Sequence, residues 1–298
     1  MHLRAASDLV LMLHDLSPPQ SLSPLNGFHR APRIQSPEKS ALKFFTGCVL
    51  WFDMLSCVST GTQSHLAEHH TRLLLGPTPE LGHNIDLHTI CGARNWVMVL
   101  VSEIATLASQ KADWRRAGDY DEQTFAESAR EIEFRLLSQH REVREELDTI
   151  RQEYGGAPPP HSLPEIYNKH TVLFVTNIFA SAAIIYLHTV ITSSDVSPSL
   201  VQLALRNTIE SMRMVTDPRM FRGLIWPLCV AGCMASSKAD QDFFRICAAG
   251  AVNDSRSFGN SGKALDILER SWLLQRERGK LVDCTAAIKD MGSCVLLC

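Results

Sequence analysis

Residues 171–191, TVLFVTNIFASAAIIYLHTVI, run for 21 positions without a single charged side chain. As one helix this stretch is about 30 Å long, enough to cross the hydrocarbon core of a bilayer. A chain carrying it must either place it in lipid or wrap it in other helices. Thr176, Asn177, Ser181 and His188 interrupt the run with polar groups, and no Lys/Arg cluster flanks it to set an orientation. The wrapped helix is therefore expected, with no membrane partner.

A second apolar run, FRGLIWPLCVAGCMA at 221–235, carries more local detail. Leu224, Leu228, Ala231 and Ala235 share one helical face at spacings of three and four. Pro227 lacks an N–H and clashes with the carbonyl four residues back, so it must sit at a kink or in the first turn of a new helix. Ala231 and Gly232 permit close backbone approach, and Trp226 brings a large area to bury. Cys229 and Cys233 lie one turn apart. A structural zinc site needs four ligands, and no second tight Cys or His pair is evident, so they read as small buried hydrophobes.

The rest of the chain supports a globular helical body. Apolar residues make up 45% of the 298 positions, and the net charge of −3 gives the bulk chain no attraction to nucleic acid. Nine cysteines without a secretory signal read as reduced thiols. Residues 1–40 form a leader: a short amphipathic helix over 1–16 with Leu3, Leu9, Val10 and Leu13, then a flexible Pro/Ser-rich linker over 17–37. Ser36, Pro37 and Glu38 then open a helix through 58, with Leu42, Phe45, Val49, Phe52 and Cys57 as its stripe and Gly61 as its stop. Asp53, its odd acid, reads as a carboxylate satisfied by a partner or held at the rim.

A shorter helix is expected over 64–75, with His65, His69 and His70 on its solvated surface. Asp86 caps a helix running to 111. The segment 119–154 is long, charged and periodic, with Phe125, Ile132, Leu136, Val143, Leu147 and Ile150 as a narrow seam, and reads as an outer helix of the bundle. Helices are further expected over 197–214, 240–252 and 263–275. No alternating strand pattern appears, so the class is all-α, an antiparallel helical array or bundle, with an irregular αα-solenoid as the variant form.

Chemistry-bearing motifs are missing. G-x-S-x-G, a phosphate-binding glycine loop and H-E-x-x-H do not occur. Catalytic and metal-ligating residues are accordingly expected to be none.

WPLCVAGCMA at 226–235 followed by DFFR at 242–245 resembles the C-terminal regulatory domain of fungal Zn(II)2Cys6 transcription factors, the class called fungal-specific transcription factor domain 2. Further echoes follow in family order: FFTGCVLWFDMLSCVSTG at 44–61, IDLHTICGARNWVMVLVSEIATLASQK at 85–111, IFASAAIIYLHTVI at 178–191, SFGN at 257–260 and ERSW at 269–272. The resemblance spans about 41–298. It implies a nuclear protein that regulates RNA polymerase II transcription. It further implies a homodimer, or a heterodimer with a related regulator, and a small-molecule effector held between helices. An α-helical interaction scaffold without a transcription role is the competing expectation.

The family's six-cysteine cluster binds zinc and contacts DNA, whereas the first cysteine here is Cys48, inside the apolar body. Zinc is thus expected only in that absent module, and DNA contact only indirectly. A second departure is Cys284 after Asp283, where the family tends to carry tryptophan; the last helix is expected to pack poorly. Trp51, Phe52, Trp96, Tyr186, Trp226 and Phe244 are the candidate core and effector-pocket residues. Trp226→Ala is expected to lower stability by about 3–5 kcal/mol, and an unchanged melting temperature would remove Trp226 from the core.

Overall fold

The computed structural model describes residues 2–15, 37–76, 85–156, 158–160, 162–191, 198–252, 261–292 and 295–297. Among these, every regular element is helical. The order is α1 (His2–Asp15), α2 (Pro37–Thr60), α3 (Ala67–Leu74), α4 (His88–Cys91), α5 (Asn95–Ala117), α6 (Glu122–Glu153), α7 (Pro164–Ile191) and α8 (Pro198–Arg213). A 3-10 helix over Pro218–Leu224 leads into α9 (Ile225–Cys233), followed by α10 (Lys238–Val252), α11 (Ser261–Arg278) and α12 (Cys284–Asp290). Proline opens α2, α7 and α8, where its missing N–H costs no helical bond. The carboxylates of Asp121, Asp217 and Asp283 accept backbone N–H groups at the starts of α6, the 3-10 helix and α12.

The apolar run of 171–191 is the centre of the molecule. Every residue from Leu173 to His188 in α7 is buried. By length and composition, 40–60 and α7 would each suffice to cross a membrane, but 83% of the most apolar window of α7 is buried inside this molecule. Helices α5, α6, α8 and α9 cover it.

Several polar groups on α7 meet partners on the helices around it. Thr176 Oγ1 accepts from the Arg94 N–H at 3.0 Å. His140 Nε2 donates to Asn177 Oδ1 at 2.8 Å, and Asn177 Nδ2 donates to Ser211 Oγ at 3.0 Å, which ties α6, α7 and α8 together. His188 Nε2 lies 3.0 Å from Glu133 Oε1. At the end of the helix, Lys111 Nζ donates to the carbonyls of Val190 and Ile191, where the helix dipole favours a cation. Burial pulls the Lys111 ammonium down to about 8, with Arg115 adding to the shift.

Direction follows from the rungs. Arg94–Glu146 at 2.9 Å, Glu103–Arg135 at 2.7 Å and Lys111 over the Phe125 ring at 4.7 Å run in opposite senses along α5 and α6. Glu146–Lys169, His140–Asn177 and Glu133–His188 do the same along α6 and α7. These three helices go up, down and up.

Several boundaries differ from expectation. The helix expected from 86 to 111 breaks at Gly92, whose φ of +78° is left-handed and whose added Cβ would lie 3.3 Å from Val175. Asp86 is not its cap; its carboxylate faces His88 Nδ1 at 3.3 Å, and the Leu87 N–H is taken by Asn95 Oδ1 at 2.8 Å. The helix expected over 64–75 begins only at Ala67. Phe45, assigned to the buried stripe of α2, is exposed beside Phe44. The leader helix docks on α2 with Val10 fully buried, while 16–36 lies outside the described residues.

The C-terminal part is well packed, contrary to expectation. Cys284, Ala287, Ile288, Val295 and Leu297 are all buried, and Thr285 Oγ1 donates to Val58 O. Pro227 sits in the first turn of α9, the second of its two allowed places. All nine residues of α9 are buried, so its terminal carbonyls need protein donors. Trp272 Nε1 donates to Gly232 O at 2.9 Å and Gln275 Nε2 to Cys233 O, and just beyond the helix Gln241 Nε2 donates to Ala235 O at 3.0 Å.

The same Gly232 admits Leu268 and Phe244: an added Cβ would meet them at 2.6 and 3.1 Å. Gly232→Val is expected to cost about 1–3 kcal/mol by overpacking. Chemical denaturation checks this, and an unshifted midpoint would show that α9 and α11 have room.

Candidate functional site

The six candidate aromatic residues form separate groups rather than one pocket. Trp226 of α9 stacks on Phe179 at 5.7 Å and meets Tyr186 edge-on at 6.2 Å, both on α7. Its indole N–H is buried with no hydrogen-bond partner, so this junction holds by area and ring contact alone. Phe244 is fully buried over Gly232 and meets Phe243 edge-on. Trp51 and Phe52 stack on each other at 5.2 Å, half-buried on α2. Trp96 is half-buried at the start of α5. Tyr186 and Trp226 are thus brought together, as are Trp51 and Phe52.

A polar constellation lies elsewhere. Asp53 of α2 is 1% exposed. Its carboxylate accepts from the Ser64 hydroxyl and from the N–H groups of Leu66 at 3.2 Å and His65 at 3.3 Å, and faces His70 Nε2 at 3.4 Å. This confirms a partner-satisfied acid. Burial pushes the carboxyl up, but the bonds from His70, Ser64 and Leu66 together outweigh it and hold it below the ordinary value of 3.8.

His70, placed on the solvated surface by sequence reasoning, is 2% exposed, because α3 turns it inward. Its other nitrogen, Nδ1, lies 3.1 Å from Ser102 Oγ on α5. The order Asp53–His70–Ser102 has the residue types of a nucleophilic relay. Ser102 sits in mid-helix, however, where the neighbouring N–H groups are committed to the α5 ladder and cannot form an oxyanion hole.

Ser102 and His70 line a groove of about 420 Å³ between α3, α5 and α6. Val99, Leu107 and Ile132 supply its apolar surface, and Glu68 of α3 and Glu131 of α6 belong to the lining. The bidentate Glu103–Arg135 pair, at 2.7 and 3.0 Å, belongs to the lining as well. None of the six aromatic candidates lines it. Asp53 and the His65–His70 segment were visible in the sequence as anomalies. Ser102 gave no signal, being one hydroxyl on a helix of known amphipathic type.

Three cysteines at the centre of the fold do not suit a metal. Cys229, Cys233 and Cys284 are fully buried and their thiols are pushed well up by burial, so the metal-binding thiolate is disfavoured. Among the described residues no three His, Cys, Asp or Glu side chains are placed to hold an ion. The zinc that the family resemblance implies therefore has no fitting donor set in these residues.

The profile of the "Fungal specific transcription factor domain" matches residues 1–298. The chain belongs to this family. It is 30% identical over 298 residues to the trichothecene biosynthesis transcription regulator TRI10 of Trichoderma arundinaceum, covering 94% of this chain and 63% of that one. It is 27% identical over 290 residues to transcription factor dibT of Pestalotiopsis microspora, covering 92% and 44%. The ustiloxin B cluster transcription factor ustR of Aspergillus flavus is 26% identical over 258 residues, covering 86% and 41%. The chain thus spans between 41% and 63% of the length of these three relatives. No solved structure matches.

Asp53→Asn swaps an acceptor-only carboxylate for an amide that cannot satisfy the same donors, and is expected to cost about 3 kcal/mol. A carboxyl held below its ordinary value stabilises the fold above about pH 4 and loses that contribution as pH falls. Acid titration of stability should therefore flatten in the variant. A wild-type slope retained in Asp53→Asn would place the acid-sensitive group elsewhere.

Proposed function

We propose that this chain is the regulatory domain of a fungal transcription regulator that controls the genes of one biosynthetic pathway. The observation that carries this is the match of the family profile along the whole chain. The relatives' names support the pathway level: one is named for trichothecene biosynthesis and another for the ustiloxin B cluster. The domain acts in the nucleus on RNA polymerase II promoters, as a homodimer or beside a related regulator. DNA contact is made by a zinc-cluster module or partner outside these residues, and the net charge of −3 suits a domain that leaves DNA to another part.

The domain works by binding rather than catalysis. Its relay serine has no oxyanion donors, and its buried thiols are held protonated, away from the nucleophilic form. An effector in the groove between α3, α5 and α6 would bias one of two domain arrangements through its differential affinity for them.

Deleting the gene from its host and sequencing the transcripts tests the reading. The expected result is collapse of transcripts from one contiguous set of biosynthetic genes, restored by the intact gene. Unchanged transcripts under producing conditions would overturn it and favour an interaction scaffold without a transcription role.

A further inference from the structure

The outer face of α6 carries an order that solvation alone does not require. Phe134 is 72% exposed, more than any other large hydrophobic among the described residues, and Leu137 beside it is 37% exposed. Phe134 stands on the far side of the helix from the buried seam that holds Phe125, Leu136 and Val143.

At about 100° per residue, the charges around Phe134 separate by sign. Glu127, Glu131, Glu142 and Glu145 fall on its α5 side, the side from which Arg135 reaches Glu103. Arg130, Arg141 and Arg144 fall on its α7 side, the side of the Glu133–His188 contact. All seven are exposed. The acid that interrupts the arginine edge, Asp148, faces Arg151 at 3.5 Å. The ion pairs that α6 makes within the chain use Glu133, Arg135, Glu146, Asp148 and Arg151; among the described residues, none uses the seven.

A helix with one acidic and one basic edge is complementary to a parallel copy of itself. A two-fold axis running along the pair sets the acidic edge of each helix against the basic edge of the other. Phe134 then meets Phe134 of the second copy. Glu131 comes opposite Arg130, Glu142 opposite Arg144, and Glu145 opposite Arg141, each pair formed twice. An antiparallel pair would instead set each edge against its like.

We infer that the outer face of α6 is the surface on which a second copy of this chain docks, the two α6 helices lying side by side and parallel. That the pair serves a dimeric regulator rests on the regulatory reading above; the surface rests on α6 alone. Phe134 and Leu137 supply the apolar centre, and the charged edges fix direction and register. With so small an apolar centre, the association is weak and sensitive to salt.

Sedimentation velocity on the full chain over a concentration series tests this. A reversible monomer–dimer equilibrium is expected, weakening as salt rises. Phe134→Ser should weaken it about tenfold, with no change in melting temperature at a concentration where wild type is monomeric. Glu142→Arg and Arg144→Glu should each weaken it about tenfold, because the two-fold axis repeats the like-charge contact. An equimolar mixture of these two charge variants should recover wild-type association as a heterodimer, the reversed charge of each finding its opposite on the other.

A monomer at every concentration, or a dimer indifferent to Phe134→Ser, would overturn the surface. A dimer that either charge variant strengthens by itself would overturn the parallel arrangement. A mixture that fails to recover association would overturn the pairing of the two edges. Transcript loss on gene deletion is read separately, so the regulatory reading is judged independently.

Discussion

An apolar helix with no polar face has to be enclosed, and α7 imposes that on the whole chain. A helix buried on every side gives up the usual choice of which face to show to water. Its neighbours must supply both contact area and partners for its few polar atoms. That requirement explains why α6 carries a histidine in an otherwise apolar seam: His140 is there for Asn177. It also explains why a lysine lies buried at the end of α5, where it closes the carbonyl end of α7. Burying an amine is costly, and here two carbonyls and the Phe125 ring offset the cost.

Most of the fold was legible because helix-forming stretches here announce themselves by period. The seam of α6 was read correctly at each of its six positions, since a long charged helix packs along a single stripe. What periodicity missed was set by contacts distant in sequence. The Gly92 break depends on Val175. The Asp86 cap failed because Asn95 reached back to take the Leu87 N–H, a competition that spacing alone cannot display. The packing of α12 was misjudged from one family departure, Cys284, although a small thiol fits where α9 and α2 close in.

The candidate site was legible only in part. Large aromatic residues drew attention because they dominate buried area, and they proved to be scattered between α2, α5, α7, α9 and α10. The groove is built from Glu, Ser, Thr and Arg on amphipathic faces, which in a sequence look the same as solvated surface. Only the tertiary arrangement brings Glu68, Ser102, Thr106, Ser128 and Arg135 to one space. Family membership, by contrast, was carried by short ordered motifs, which fall in α2, α5, α7, α9, α10 and α11.

The enclosure of α7 has a temporal side. Its partners α5 and α6 precede it in the chain, but α8 and α9 follow it. Ribosomes add about 5–20 residues per second, so roughly 40 further residues mean that the last covering helix arrives on the order of 2–8 s after α7 is complete. During that interval a run long and apolar enough to cross a membrane is displayed on a half-made chain. Any change that delays the synthesis of α8 and α9 would lengthen that exposure without altering a single contact in the finished molecule.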